Sequence, residues 1–507
     1  MAKIKLNRIQ AQGRKQATLV AVCVSTFMLP LDYTVVAVAL HDIQRELNAS
    51  FTDLQWIING YTLTFAAFLL AGGALADLFG RWRLFTSGMV VFMLSSLLCG
   101  IAVAPLMLNL ARGSQGIGAA LMFSASLPLL VQEFQGSERA RAFGIFGAVV
   151  GIGAALGPFL GGIVISSLGW RWAFLINVPV TAAVIGLTLL KVAESSDPAA
   201  HGIDWGGFIT FTSSCFLLIF ALISGNERGW NSPLIVGALV GTGLLLAFFV
   251  FVEMHCSYPM FDLTLFKNPT FIGVSIPPLV LSISFWGIFL YFPLYYQSIL
   301  NYSALQAGLA VLPFALPLFV MGPVGSLLAA RLSSRVLLSV GQLLVGLGDL
   351  LLMIATPNST WLAFAAGALL SGTGTGLING EMSNVAMSIV PIERSGMASG
   401  INSTMRQVGV ALGFAGLGAI LARQTSNRFF HLIANTAVAA TGRDVELANM
   451  VVKGDIAGAL ASLPPEVHAA FLNVANDSFF SGLQTIILVA ATVALFGALV
   501  TFALVRR

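Results

Sequence analysis

The sequence predicts an all-α polytopic membrane protein with 14 transmembrane helices, and three observations carry that expectation. Only 9% of the 507 residues are Asp, Glu, Lys or Arg, against about 25% in a soluble domain. Apolar residues make up 57%, and the mean hydropathy is +0.90. The apolar residues also fall into runs of about 20, the length a helix needs to cross about 30 Å of hydrocarbon. Too few charges remain to cover a soluble surface, so an ordinary soluble enzyme is excluded, as are disorder and a disulfide-stapled secreted domain. The alternation of a barrel strand is absent, which leaves helices as the spanning element.

The runs lie near 17–40, 54–76, 85–103, 105–131, 142–166, 173–191, 205–224, 234–252, 269–298, 305–330, 336–355, 361–390, 396–421 and 481–505. The first run exceeds a cleavable signal in length and lacks a small-residue cleavage site, so it reads as a transmembrane helix. With the N-terminus cytoplasmic, 16 Lys and Arg fall in cytoplasmic segments and seven on the other side, which orients the chain with both termini inside. The four cysteines show no paired spacing and read as packing residues.

The chain repeats itself. Glu138-Arg139, Gly144-Ile145 and Ala155-Leu156-Gly157 recur as Glu393-Arg394, Gly400-Ile401 and Ala411-Leu412-Gly413, at an offset of 255 or 256 residues. This predicts a first six-helix bundle over 1–191, an inserted helix pair with cytoplasmic linkers over 192–268, and a second bundle over 269–507. A polar insertion over 424–480 is expected to form a small extracytoplasmic hairpin or helical pair. Parallel repeats of this kind place a site between the halves near mid-membrane.

No Lys follows a Gly, so the chain lacks a phosphate-binding loop of the G-K-[ST] type. Neither G-x-S-x-G nor H-E-x-x-H occurs, and no metal site, cofactor or nucleic-acid partner is expected. The reading is a transporter, not an enzyme.

The residues of interest are polar groups inside apolar runs. Asp32 lies deep in the first run, where an acid is a functional group by default; the alternative is a packing acid bonded to hydroxyls such as Thr34. Glu381, beside Asn379 and Asn384, is expected at comparable depth in the opposite half, as a second proton carrier, a counter-charge for cargo, or an acid paired with Arg406. Arg112 is an intramembrane cation suited to a nearby carboxylate or to a structural clamp. Asn59, Tyr61, Trp286, Tyr291, Gln297, Asn379 and Arg406 are expected to line a cavity for lipophilic cations. Asp77, Gly80, Arg81 and Arg83 mark a tight turn read as a conformational latch or as plain charge anchoring. Gly153, Gly157, Pro158, Gly161 and Gly162 recur at helical spacing and predict a close, kinkable helix interface.

Five segments resemble the signatures of the major facilitator superfamily. Gly73-Ala-Leu-Ala-Asp77-Leu-Phe-Gly80-Arg81-Trp-Arg83 resembles its loop 2–3 signature, Arg112-Gly-Ser-Gln115-Gly116-Ile-Gly118 its fourth-helix signature, and Gly153-Ala-Ala-Leu-Gly157-Pro158-Phe-Leu-Gly161-Gly162 its antiporter helix. Leu31-Asp32-Tyr-Thr34 and Trp170-Arg171-Trp-Ala-Phe174-Leu-Ile-Asn177-Val-Pro179 resemble the 14-helix drug–proton antiporter branch, the QacA/EmrB-like one. Ala37 stands where that branch commonly has Asn, and the second-half counterpart of the loop signature, Gly325 to Arg335, lacks its acid. The resemblance implies two six-helix bundles plus two inserted helices, in the bacterial cytoplasmic (inner) membrane. It implies proton-coupled efflux of lipophilic, notably cationic, compounds by alternating access, with Arg112 tuning a nearby carboxylate during proton transfer; Asp32 and Glu381 are the candidate proton carriers by their position in apolar runs, and Glu381 stands where the family often has an apolar residue or Pro. The alternative is a lipid or metabolite transporter of the same fold without proton linkage. Expected partners are small substrates, protons and membrane lipids, with a periplasmic adaptor as a candidate and a monomeric chain.

Overall fold

The computed structural model describes residues 2–194, 202, 204–259, 261–357, 359–390, 395–434 and 436–505. Within these, the side chains of 2–11 and of scattered helical positions, Asp77 among them, lie outside the described set. The first bundle holds α1 (Ala2–Leu47), α2 (Phe51–Phe79), α3 (Arg81–Gly100), α4 (Pro105–Glu133), α5 (Gly136–Leu168), the short α6 (Trp172–Leu175) and α7 (Asn177–Lys191). The inserted pair is α8 (Trp205–Arg228) and α9 (Pro233–His255). The second bundle begins with α10 (Pro269–Leu281), α11 (Gly287–Phe289) and α12 (Tyr291–Ser298), followed by α13 (Ala304–Ala310), α14 (Leu312–Ala329), α15 (Ser334–Leu352) and α16 (Leu362–Ser388). It ends with α17 (Ser395–Ile433), α18 (Asp444–Lys453), α19 (Ile456–Ala461) and α20 (His468–Leu504). Among the described residues, 13 segments are long and apolar enough to cross a membrane. The 29-residue α2 completes the 14 expected.

Helix ends follow local chemistry. Ser50 starts α2 with a reciprocal cap: its hydroxyl accepts from the Asp53 N–H at 3.0 Å, and the Asp53 carboxylate accepts from the Ser50 N–H at 2.9 Å. Ser303 and Gln306 start α13 in the same way. Gly80, at φ +99°, makes the turn from α2 to α3, a conformation that side chains disfavour. Pro277 and Pro278 remove two backbone donors from α10, and the ladder gives way to a π turn over Ser282–Trp286 before α11 and α12 complete the span.

The internal repeat reappears in the packing. A Cβ added to Gly88 of α3 would lie 2.6 Å from the Met122 nitrogen of α4, so the two helices cross in near-backbone contact. Gly374 of α16 crosses Gly341 of α15 with the same closeness, 2.4 Å to its carbonyl oxygen. The polar insertion is shorter than the sequence suggests. α17 runs on to Ile433 and α20 starts at His468, because both helices continue past the apolar stretch; α18 and α19 fold over the end of the bundle between them. There Gly454 lies against Ser298, and Leu447, Val451 and Ile456 are buried.

The two halves touch at one end and part at the other. Toward the Asn48 end, a Cβ on Gly308 would lie 2.2 Å from the Pro158 oxygen, and one on Gly162 would lie 2.9 Å from the Ala304 oxygen. Gln297 Nε2 donates to the Val38 oxygen at 2.8 Å, and His41 Nδ1 and Ser298 Oγ are 3.1 Å apart. On the same stripe of α5 toward the Gly80 end, Gly151, Gly147 and Gly144 have nothing within 4 Å, and neither has Gly400 on α17. The molecule is closed at its Asn48 end and opens toward its Gly80 end. The inserted pair leans on the seam through α8, where Ile219 and Ile223 pack with Leu63 of α2 and with Ala411 and Ala415 of α17.

Candidate functional site

The first bundle encloses a fully buried polar network around Asp32. α1 presents Asp32 toward α4 and α7, and only 1% of the residue is exposed. Arg112 Nη1 donates to Asp32 Oδ2 at 2.6 Å, and Gln115 Nε2 and Asn177 Nδ2 donate to Oδ1 at 3.0 and 2.8 Å. Gln115 Nε2 also donates to Ser96 Oγ at 2.8 Å, and Gln115 Oε1 accepts from Arg112 at 2.7 Å. Arg112 Nε donates to the Ile57 oxygen of α2 at 2.9 Å, and the guanidinium lies 4.3 Å above the Tyr61 ring. The acid thus has a charge partner and amide donors in a dry setting, where an ion pair requires such support. Removing one member would leave the other unpaired, at a cost of about 3–5 kcal/mol.

Around this network are buried polar atoms without partners: both amide atoms of Asn59 and the hydroxyls of Tyr33 and Tyr61. Tyr33 meets Trp286 of the other half edge to face, with centroids 6.0 Å apart. Asp32 itself faces no open chamber in this conformation.

The other expected cavity residues divide in two. Tyr291 and Gln297 belong to the closed contact: the Tyr291 hydroxyl donates to the Phe414 oxygen at 2.7 Å, and its ring stacks on Phe414 at 4.5 Å. Gln55, which sequence reading missed, joins them from α2, donating to Tyr291 Oη and the Phe414 oxygen at 3.3 Å each. Asn379 and Arg406 meet on the open side, where Arg406 Nη1 donates to Asn379 Oδ1 at 2.9 Å and Nη2 to the Asn379 oxygen at 3.4 Å.

Glu381 departs from expectation. It accepts from Ser334 at 3.3 Å, and Ser334 is the first residue of α15, so Glu381 sits near the Gly80 end. Asp32 lies level with Ser96, 15 residues into α3, or about 22 Å deeper. Nor is Glu381 the partner of Arg406. Two residues apart on a helix point to different sides, so Asn379 faces α17 while Glu381 faces α15.

Gly153, Gly157 and Gly161 hold α5 against α1 at Phe27, Thr34 and Val35, while Pro158 and Gly162 carry the contact to α13. At the turn after α2, the Asp77 side chain lies outside the described set. The Glu194 carboxylate, absent from the sequence reading, accepts from the Trp82 N–H at 3.1 Å and the Arg83 N–H at 3.3 Å, and pairs with Arg83 Nε at 3.5 Å. It caps the start of α3, where backbone donors and the helix dipole favour an anion. Gln115 was within reach of sequence reasoning, since it lies one turn from Arg112 on the same face. Ser96 and Asn177 come from other helices and carry no such signal.

A second buried acid, Asp349 of α15, accepts from Ser371 at 2.9 Å and has its other oxygen unpartnered. No metal-ligating cluster occurs among the described residues.

Known proteins give this geometry a family. The model of the Major Facilitator Superfamily matches residues 22–413 and 278–505. The multidrug resistance protein Stp of Mycobacterium tuberculosis (strain CDC 1551 / Oshkosh) is 34% identical over 477 residues, covering 93% of this chain and 89% of that protein. The cephamycin export protein CmcT of Amycolatopsis lactamdurans is 33% identical, over 91% of this chain and 97% of its own length. The drug efflux pump JefA of M. tuberculosis (strain CDC 1551 / Oshkosh) is 32% identical over 90% of this chain and 89% of that protein. Among solved structures, a bacterial homolog of the human lysosomal transporter Spinster, inward-facing and unoccupied, superposes with a TM-score of 0.63 at 17% identity, covering 97% of this chain and 98% of that one. With paired bundles, a crossing pattern repeated in each half and a family model spanning nearly its whole length, this multi-pass membrane protein belongs to the Major Facilitator Superfamily of transporters.

Proposed function

We propose that this protein exports small lipophilic compounds from a bacterial cytoplasm by proton antiport, alternating between a state open at its Gly80 end and one open at its Asn48 end. The excess of Lys and Arg in that half of the loops supports a cytoplasmic Gly80 end. The relatives named for multidrug resistance, efflux and export support the direction of transport. The observation that carries the proton-coupled reading is the buried Asp32–Arg112 pair and its route to the closed end.

That route runs through α2. Arg112 holds the Ile57 carbonyl, and Gln55, two residues away, bridges to Tyr291 and Phe414 of the other half. A proton on Asp32 cancels the charge that fixes Arg112 Nη1 and loosens the hold on α2. Loss of the proton restores that hold. When the halves part at the Asn48 end, Trp286 leaves Tyr33, beside Asp32, and the acid gains access from outside. Coupling is thus indirect: proton and cargo act on the same interface from different places. One pH unit and 100 mV together supply about 3.7 kcal/mol per net proton, enough for a gradient on the order of 500-fold. A cationic cargo would first meet Glu381 at the mouth, because Asp32 is matched by Arg112.

The test is transport in proteoliposomes under an imposed pH gradient. Asp32→Asn is expected to abolish gradient-driven accumulation while leaving downhill exchange of substrate measurable. Asp32→Glu controls for folding by keeping the charge. Full gradient-driven accumulation in Asp32→Asn would refute proton coupling at this site.

A further inference from the structure

Arg406 is a membrane-embedded cation with no acid beside it among the described residues. It lies 11 residues from the start of α17, about 17 Å along the helix from the Gly80 end. Its only hydrogen-bond acceptors are the two oxygens of Asn379, both neutral amides, and no described carboxylate lies within ion-pair distance. Glu381, 25 residues before it, points to Ser334 on α15, and Glu393 lies outside the described residues. A guanidinium offers five N–H donors in a planar fork. None of the remaining donors of Arg406 is among the buried polar atoms without partners, and the residue is only half-buried. They therefore keep some accessible surface. Gly380, next to Asn379, and Gly400, on α17, likewise have nothing within 4 Å.

Several other arginines are paired with acids, although Arg139 rests on backbone carbonyls and Arg335 on the Phe502 ring. Arg112 is paired with Asp32, Arg14 with Glu133 and Arg171 with Glu46. An unpaired cation away from water is costly, and a bound anion offsets that cost with charge-assisted, bidentate hydrogen bonds. The apolar stripe of α17, Ala398, Ile401, Met405 and Val408, is taken up by packing against Phe271 on another face of the helix, so the polar fork is the recognition element. A charged fork of this kind fits an acidic group on a lipophilic cargo.

Resting on the export reading above, we infer that Arg406 is the recognition point for an acidic group, and that the transported compounds include amphiphiles bearing a carboxylate, sulfonate or acidic phenol. Asn379 is a positioning residue: it fixes one edge of the guanidinium and leaves the rest toward the cavity. This reverses the charge preference suggested by the sequence, in which acids were to attract a cation.

The experiment uses the full chain in proteoliposomes with a pH gradient and two fluorescent probes, anilinonaphthalene sulfonate and ethidium. Wild type is expected to move the sulfonate. Arg406→Gln is expected to raise its KM by about tenfold or more, and Arg406→Lys to recover part of that loss. If Arg406→Gln does not fold, displacement on the wild-type protein decides: decanoate should release bound sulfonate probe at lower concentration than decylammonium does. Transport of ethidium alone by wild type, an unchanged sulfonate KM in folded Arg406→Gln, or stronger displacement by decylammonium would overturn the inference while the export reading stands. Movement of neither probe would overturn both.

Discussion

The two halves share a scaffold but handle buried charge in opposite ways. In the first, Asp32, Arg112, Gln115, Asn177 and Ser96 converge from α1, α4, α7 and α3 into one closed network. In the second, the acid and the cation are kept apart: Asp349 rests on Ser371 between α15 and α16, and Arg406 rests on Asn379 between α16 and α17. The Ser96–Gln115 bond and the Asp349–Ser371 bond occupy matching places, at offsets of 253 and 256 residues, so one polar rung of the repeat has been put to two uses. Where Arg112 sits in the first half, the second has Ala368 at an offset of 256, and Asp349 has no cation to meet. A closed network satisfies its own charges, whereas separated charges leave hydrogen-bonding capacity unused.

The sharpest way to break this comparison is to remove one charge from each half. Arg112→Ala should destabilise the protein by about 3–5 kcal/mol, because Asp32 would be left charged and unpaired. Asp32→Asn with Arg112→Gln should recover most of that loss. Thermal unfolding in detergent measures both, and a single mutant as stable as wild type would mean that the pair is not closed.

Next in size is the contact between the halves. Gly308→Ala would push a methyl into the Pro158 backbone, where the added carbon would lie 2.2 Å from oxygen. Overpacking of this kind costs about 1–3 kcal/mol. It should shift the population away from the state closed at the Asn48 end, read as increased labelling of a cysteine placed at Ser298. Unchanged labelling would show that this contact does not hold the end shut.

Asp349→Asn should be milder, within about 1 kcal/mol, since the change keeps an acceptor for Ser371 and orphans no cation. A loss as large as that of Arg112→Ala would reveal an ionic partner and erase the contrast between the halves.

The smallest effect lies outside the membrane. Hydrogen bonds from Arg443 hold the Glu446 carboxyl below its ordinary value, and Arg443 is correspondingly raised. For an acid with a lowered folded value, the stabilisation is present above the unfolded value of about 4.3 and is lost as pH falls through the folded one. Protection of the 444–453 amides against hydrogen exchange, after correction for the intrinsic rate, should therefore fall below about pH 4 relative to neutral pH. Glu446→Gln should flatten that step, and a step that persists in the mutant would assign it to another group.

Much of the first half was legible from residues alone. An acid and an arginine inside apolar runs demand partners in a medium without water, so Asp32 and Arg112 stood out before any contact was known. Gln115 shares a helical face with Arg112, and a reader counting turns can place it. The second half was harder. Asn379 and Glu381 are two residues apart, and only the packing of α16 decides that one turns to α17 and the other to α15. The Glu381–Arg406 pair, one of three alternatives for that acid, is not formed for that reason. Tyr291 and Gln297 looked like cavity aromatics and amides, yet they seal an interface, because burial between helices and exposure to a chamber leave the same composition.

The amino-acid order by itself determined that the chain spans a membrane, how many times, and that its halves repeat, because hydrophobic length and local capping act within one segment. Which end is closed, which acid meets which cation, and which described arginines rest on groups other than acids were decided only by tertiary structure. Those outcomes depend on the rotation and approach of helices far apart in the chain, set here by glycine crossings such as Gly88–Gly118 and Gly162–Ala304.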